Sequence, residues 1–246
     1  MHANLLLDHL PAGELRRLLP IGSSVQLRIG QDVALQNQRC RCIHFPLQGW
    51  ICLVTRLEPH APLQLGMVGA EGAIGAHLLL GQERCLVGAV VQEGGEAWRL
   101  PAHALRRALA ETPGLQRLLG RYLMVQMRTT ITMAACLHFH TLRARLARCL
   151  LMVLDRAGGR DFAATHELLA RLLGVRRVGV TVAAGSLQDA GLIQYQRGRV
   201  DVLDRRGLQA ASCSCYEQDR QAYQRGMRFA PAARSHPMPG PARLLT

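Results

Sequence analysis

The segment Thr165-His-Glu-Leu-Leu-Ala-Arg-Leu-Leu-Gly174, continued by Val-Arg-Arg-Val-Gly-Val-Thr-Val-Ala-Ala-Gly-Ser-Leu187, constrains this chain more than any other. Leu168, Leu169, Leu172 and Leu173 form one apolar stripe of a short helix, with Thr165 placed to cap its start and Glu167 favourable in its first turn. Gly174 lets the chain turn sharply. Val180, Ala184 and Leu187 then fall at i, i+4 and i+7 and should pack back onto the first helix, which leaves Arg176, Arg177, Val178, Thr181 and Val182 facing outward. Two short helices around a glycine, the second opened by paired arginines, make a helix-turn-helix. Its outward face suits a major groove, because arginine pairs with guanine edges or phosphates while threonine and valine can touch a thymine methyl.

Downstream, Ile193-Gln-Tyr195-Gln and Val200-Asp-Val202 alternate on either side of Arg197-Gly198-Arg199, the pattern of a β-hairpin wing whose arginines Arg197 and Arg199 can reach phosphate. His166 joins that phosphate set. An αα-hairpin with solvated arginines would reproduce parts of this pattern. The ordered run of helix pair, turn glycine, basic helix start and hairpin favours duplex DNA as partner.

Charge points the same way. The chain of 246 residues carries a formal +13, and all thirty of its basic residues are arginine. The excess is uneven: Met1–Ala135 carries +4 and Cys136–Thr246 carries +9, so the basic half holds the helix-turn-helix. Eight cysteines are too few for a disulfide scaffold, and the start lacks a basic segment followed by a long apolar run. The most apolar stretch, Ala61 to Leu80, is interrupted by Gln64, Glu71, His77 and four glycines, so no membrane span is expected. A cytoplasmic protein with reduced thiols and no membrane partner follows. Length allows two domains with separate cores.

A short helix is expected over Ala12–Leu19. From Val25 to Leu100 short apolar runs alternate with glycine and polar turns: Val25–Ile29, Ile43–Leu47, Trp50–Leu57, Leu63–Val68, Val87–Gln92 and Ala97–Leu100. Such spacing predicts a β-sandwich, barrel or jelly-roll-like domain. Pro101 opens a short helix to about Ala110, and Pro113 begins a longer one. There Leu115, Leu118, Tyr122, Val125, Thr129, Thr132 and Cys136 repeat at alternating spacings of three and four, the seam of a two-stranded coiled coil, so a homodimer is expected. The other faces carry Leu119, Leu123, Met127, Ile131 and Met133, so cover by both the β-domain and a partner helix is expected, with a helix buried within one monomer as the alternative. Thr141–Arg156 is a further amphipathic helix, and Gly158-Gly159 loops into the helix-turn-helix unit.

A β-domain, a long helical seam and a winged helix-turn-helix, in that order, resemble the Crp/Fnr family of bacterial transcription regulators. The segments that carry the resemblance are Phe45-Pro-Leu-Gln-Gly49, Val68-Gly-Ala-Glu-Gly72, Gly81-Gln-Glu-Arg84, the helix-turn-helix from Thr165, Ala190-Gly-Leu-Ile193 and Tyr195 to Asp204, within about residues 4–216. The implied fold is α+β: an N-terminal jelly-roll-like β-roll sensor (1–112), a long dimerisation helix (113–138) and a C-terminal winged helix-turn-helix domain (139–216). Residues 217–246, rich in Arg, Gln, Pro, Ala and Ser, are expected to form a mobile tail. The resemblance implies a homodimer whose β-roll senses a signal and repositions two recognition helices on palindromic DNA, and it leaves RNA polymerase open as a further partner.

Carried over residue by residue, the resemblance shows departures. Where the best-known recognition helix of the family reads bases with Arg, Glu and Arg, this chain has Arg177, Val178 and Val182, so the family's common operator is not implied. Members that bind cyclic nucleotides hold the ribose with a Glu and the phosphate with an Arg followed by a hydroxyl residue. Here those positions fall on Ile74, Arg84 and Cys85, while Thr129 and Thr130 stand where some members touch the base. Loss of the carboxylate and hydroxyl argues against cyclic AMP, each lost bond being worth ~1–3 kcal/mol. Oxygen-sensing relatives hold an iron–sulfur cluster through clustered N-terminal cysteines, and residues 1–39 contain none, which argues against a cluster. Haem stays open through His77 or Cys85. Cys40-x-Cys42 could serve a metal or redox role, and incidental thiols are favoured over it, so no metal site is expected.

No nucleophile elbow, zinc-protease motif, phosphate-binding loop or carboxylate pair suggests an enzyme. Beside the effector-responsive regulator stand an effector-independent repressor and a signal-binding or protein-interaction module that has lost DNA specificity.

Overall fold

Every strand pairing among the described residues is antiparallel, as short apolar runs separated by tight turns require. The computed structural model of the chain describes residues 4–56, 62–159 and 161–228. In chain order its elements are α1 (Ala12–Leu18), β1 (Ser23–Leu27), β2 (Asp32–Ala34), β3 (Cys42–Pro46), β4 (Trp50–Thr55), β5 (Leu63–Val68), β6 (Gly88–Glu93) and β7 (Gly95–Pro101). There follow α2 (Ala102–Glu111), α3 (Pro113–Phe139), α4 (Leu142–Ala157), β8 (Asp161–Ala163), α5 (His166–Leu173), α6 (Arg177–Asp189), β9 (Ile193–Gln196), β10 (Arg199–Val202), α7 (Arg205–Ala211) and α8 (Cys215–Met227). The fold is α+β, with an N-terminal β-domain, a long helix and a C-terminal helix-turn-helix.

The β-domain has two sheets, one ordered β1-β7-β3 and the other β2-β6-β4-β5. Leu27, Ile51, Val68, Ile74, Ala89, Val91 and Ala97 fill one of its buried clusters. Phe45 and Trp98 face each other across β3 and β7 with ring centroids 5.5 Å apart, beneath α2 and α3. Strand β2 is three residues long, too short to show as a periodic run.

Helix α3 begins as expected, with Pro113 in the first turn where its missing N–H costs nothing. Its faces are the reverse of the expected seam. Leu115, Leu118, Tyr122, Val125 and Cys136 are buried within the chain's own structure, against the β-domain and α8. Thr129 and Thr132 are half-buried on the same side. The exposed apolar stripe is instead Met124, Met127 and Ile131, with 60%, 53% and 63% of their surface accessible. A heptad pattern reports that a helix face is covered; here the chain itself covers it.

The mobile-tail expectation also needs correction. Residues 215–227 form α8, which lies along α3 and buries Tyr216, Ala222 and Met227. Arg148 of α4 and Asp219 of α8 form an almost fully buried ion pair at 2.5 Å. Residues 229–246 of the expected tail lie outside the described residues, as does Leu57 of the third expected strand.

The loop after β5 joins these parts. A Cβ at Gly72 would stand 2.1 Å from Tyr122 Oη and 2.9 Å from Val68 Cγ1, and Tyr122 is only 4% exposed and cannot move aside. Gly72→Ala should therefore destabilise the chain by about 1–3 kcal/mol in a urea unfolding curve, and adding Tyr122→Phe should recover part of that loss. His44 supplies a pH test: burial, then the charge of Arg99, lower its imidazole from 6.5 to about 4. The folded chain then binds fewer protons than the unfolded one between these values, so this contribution is complete above pH 6.5 and is lost as pH falls towards 4. The unfolding free energy should drop by up to about 3 kcal/mol across that window, and less so in His44→Gln.

Candidate functional site

Thr165 caps α5 through its Oγ1, which accepts the Leu168 N–H at 3.0 Å. Gly174 ends the helix at φ +62°, a left-handed conformation that glycine adopts without steric cost, and Arg145 of α4 donates to the Leu173 carbonyl left over at that end. The reverse side of α6 buries Val180, Ala183, Ala184 and Leu187. Arg176, Arg177, Val178, Thr181 and Val182 are all exposed, the two valines at 67% and 70%. Arg176 is the N-cap of α6 and gives no side-chain cap, so the first-turn amides and two guanidinium groups stand together at one helix start.

The wing is a three-stranded sheet ordered β8-β10-β9, one strand more than the hairpin. Its tip is the two-residue turn Arg197-Gly198, both at positive φ, which presents the exposed Arg197. Arg199 differs: it is ion-paired with Asp161 of β8, whose carboxyl it holds below the usual range. Its charge is already answered within the wing.

His166 is partly buried and turned into the motif. Its Nδ1 lies 3.0 Å from Thr181 Oγ1, its ring stacks on Tyr195 at 4.2 Å, and its Nε2 is shielded from solvent. Burial, then the charge of Arg177, lowers its pKa and favours the neutral ring. His166 thus ties α5, α6 and the wing together. Gln188 adds a second tie by accepting the Tyr195 N–H at 2.9 Å. The glycines of α6 are unlike: a Cβ at Gly179 would meet Leu142 at 2.9 Å, so α4 sits close there, whereas Gly185 faces open space.

The residues expected around an effector do not share one cavity. Ile74 is in the β-domain core and Cys85 is buried, while Arg84 is exposed and donates to the Asn37 carbonyl at 2.7 Å. Thr129 and Thr130 line a different space, an open cavity of about 300 Å³ bordered by β4, β5, α3, α4 and α8. Its polar groups include Glu71, Gln126, Asp155 and Arg156. Glu71 and Arg156 pair at 2.8 Å across its wall, joining the loop after β5 to α4. Eighty-five positions separate them, so no local pattern could have found the pair. The helix α8 left a fainter signal: Tyr216, Ala222, Tyr223 and Met227 recur at helical spacing among polar residues.

Two family profiles match the chain: the cyclic nucleotide-binding domain over residues 24–112 and the Crp-like helix-turn-helix domain over residues 144–211. No functionally curated protein sequence matches significantly. Among solved structures the fold is similar to a Crp/Fnr-family transcriptional regulator of Thermus thermophilus, at 25% identity and a TM-score of 0.65, covering 77% of this chain and 98% of that one. It is also similar to the c-di-GMP-responsive global regulator CLP of Xanthomonas campestris, at 18% identity and a TM-score of 0.66, with 78% and 99% covered. FixK2 of Bradyrhizobium japonicum gives 14% identity and a TM-score of 0.68, with 78% and 98% covered.

Proposed function

The chain belongs to the Crp/Fnr family of transcription regulators, with a helix-turn-helix DNA-binding domain, and from that premise we propose that it works as a homodimer which reads a palindromic DNA site and answers to an effector other than cyclic AMP. The observation that carries the DNA-reading part is α6 itself. It turns Arg176, Arg177, Val178, Thr181 and Val182 outward while Val180, Ala184 and Leu187 hold it to the domain. Arg177 is the base reader in this proposal, and the first-turn amides of α6 with Arg197 of the wing hold phosphate. Val178 and Val182 offer methyl contacts only, which favours a site other than one read by a carboxylate.

Dimerisation is supported by Met124, Met127 and Ile131, an apolar stripe at i, i+3 and i+7 that no described residue covers. A two-fold axis there would present two α6 helices to two half-sites. An effector other than cyclic AMP is supported by Arg84, which is engaged with a backbone carbonyl, and by the absence of Ile74, Arg84 and Cys85 from the cavity lined by Thr129 and Thr130. That cavity, touching both domains, is our candidate effector site. The proposed setting is the cytoplasm, in contact with the chromosome; among the described residues no helix is long and apolar enough to cross a membrane.

Selection of bound sequences from a random duplex library should return a palindrome with half-sites about one helical turn apart. Arg177→Ala should weaken binding to the selected site by ~1–3 kcal/mol and relax preference at one position per half-site. Arg197→Ala should weaken all sequences alike and flatten the salt dependence by about one unit per lost phosphate contact. Wild-type affinity in both variants would mean that the reading surface lies elsewhere. No enrichment, together with no salt-dependent duplex binding, would favour a protein-interaction module instead. In sedimentation, Ile131→Arg should turn the dimer into a monomer; a dimer that survives it would put the interface on another face.

A further inference from the structure

Cys136 lies in the last turn of α3 and His140 is its C-cap, whose N–H donates to the Cys136 carbonyl at 3.2 Å and keeps the two residues close. Cys213 and Cys215 flank one serine in the link from α7 to α8, with Cys215 opening α8. Packing α8 along α3 brings both pairs to one point. The three sulfurs and one imidazole nitrogen all lie within 4.8 Å of one another. The closest approaches are 3.5 Å from Cys136 Sγ to Cys213 Sγ and 3.5 Å from Cys215 Sγ to His140 Nδ1.

We propose that Cys136, His140, Cys213 and Cys215 form a tetrahedral Cys3His site for a zinc-class divalent cation, which clasps α8 and its preceding link onto the end of α3. Zinc holds sulfur at about 2.3 Å and imidazole nitrogen at about 2.0–2.1 Å, so the donors of a tetrahedral site stand roughly 3.4–3.8 Å apart. The two closest approaches already have that length, and the remaining donors need to close by an ångström or so. Buried thiols often act simply as small apolar groups. That account leaves the imidazole among three sulfurs unexplained, and a single disulfide would use only two of the four donors.

The surroundings suit the charge such a site would carry. A zinc ion with three thiolates and a neutral imidazole carries net −1. Arg148, 7% exposed and next to Cys136 and Cys213, places a cation beside the site that it shares with Asp219. It holds Asp219 through one terminal nitrogen, while its Nε–H has no hydrogen-bond partner and could serve a coordinated sulfur. The second thiol group, Cys40, His77 and Cys85 in the β-domain, offers three donors and, among the described residues, no fourth.

The location gives the clasp a consequence. His140 is the residue at which α3 ends, and Thr141 caps the start of α4, so the site lies at the joint between the long helix and the DNA-binding domain. This consequence rests on the proposed regulatory reading; metal binding does not, and the two can fail separately.

The full chain, purified anaerobically with reductant and stripped with a chelator, is titrated with cobalt(II). One equivalent per chain should give the d–d bands of tetrahedral cobalt with thiolate charge-transfer absorption, and one equivalent of zinc should displace it. The pair Cys213→Ser and Cys215→Ser should lower the affinity at least about a hundredfold, and the pair Cys40→Ser and Cys85→Ser should leave it unchanged. Should the first pair fail to fold, alkylation mapping of the unaltered chain decides. Zinc should shield Cys136, Cys213 and Cys215 from iodoacetamide, with Cys40 and Cys85 indifferent to it. Octahedral or substoichiometric cobalt, a spectrum that persists without Cys213 and Cys215, iron with sulfide in the fresh protein, or a Cys136–Cys213 disulfide in place of metal would each overturn the proposal.

Discussion

The Glu71–Arg156 pair and the loop that carries it hold the two halves of the chain in one arrangement. The Glu71 carboxylate receives the Arg156 guanidinium and the Gly69 N–H, while its backbone carbonyl accepts Tyr223 Oη at 2.7 Å. On either side, the Ala70 carbonyl accepts the Leu5 N–H and the Gly72 carbonyl accepts Asn4 Nδ2. One loop of the β-domain thus meets the N-terminal segment, α3, α4 and α8. The loop must be nearly free of side chains to do so: Gly69 lies against Arg156 and Gly72 against Tyr122. Charges with this little exposure lose most of their hydration, so removing either partner leaves the other buried and uncompensated, which costs far more than the loss of a surface pair.

Behind this pair the two domains share apolar surface. Trp50 and Cys52 of β4 are buried in the same cluster as α4, α5 and α6, and Leu63 of β5 approaches the turn glycine Gly174. The helix-turn-helix is therefore seated on the β2-β6-β4-β5 sheet of the β-domain. Closely packed interfaces switch between discrete arrangements rather than deform gradually. A ligand that entered the cavity between β5, α3, α4 and α8 would act on both halves at once, and it would shift the balance only by the difference in its affinity for the arrangements.

Local periodicity made much of this legible. Strand β5 coincides with its expected run, Thr165 is an N-cap as the pattern suggests, and the outward and inward positions of α6 follow its periodicity. What failed were questions of partnership. The α3 stripe reveals a covered face but not its cover, because a coiled-coil mate and the chain's own β-domain call for the same apolar spacing. The α8 stripe is diluted: Tyr216, Ala222, Tyr223 and Met227 are interleaved with Gln, Arg, Glu and Asp, so composition suggests a tail. Cys136, His140, Cys213 and Cys215 form two innocuous pairs seventy-odd positions apart, and only the packing of α8 on α3 brings them together.

Charge composition misleads in the opposite direction. The +9 of the C-terminal half suggests a strongly electropositive DNA-facing surface, yet many of its arginines are engaged in holding the fold. Arg148, Arg156, Arg199 and Arg205 are ion-paired, Arg145 caps α5, and Arg143 bonds Ser186. At the start of α6 and the wing tip, Arg176, Arg177 and Arg197 remain exposed on the proposed reading surface. Non-specific affinity grows with each phosphate neutralised, so arginines spent on the fold would add less to it than their number suggests. In the proposed homodimer, discrimination would come from two protomers engaging two half-sites together, which multiplies small contributions only if their spacing is fixed. On that reading α3 and its joint with α4 would set the spacing, so residues that matter to the proposed DNA reading would include several that never approach the DNA.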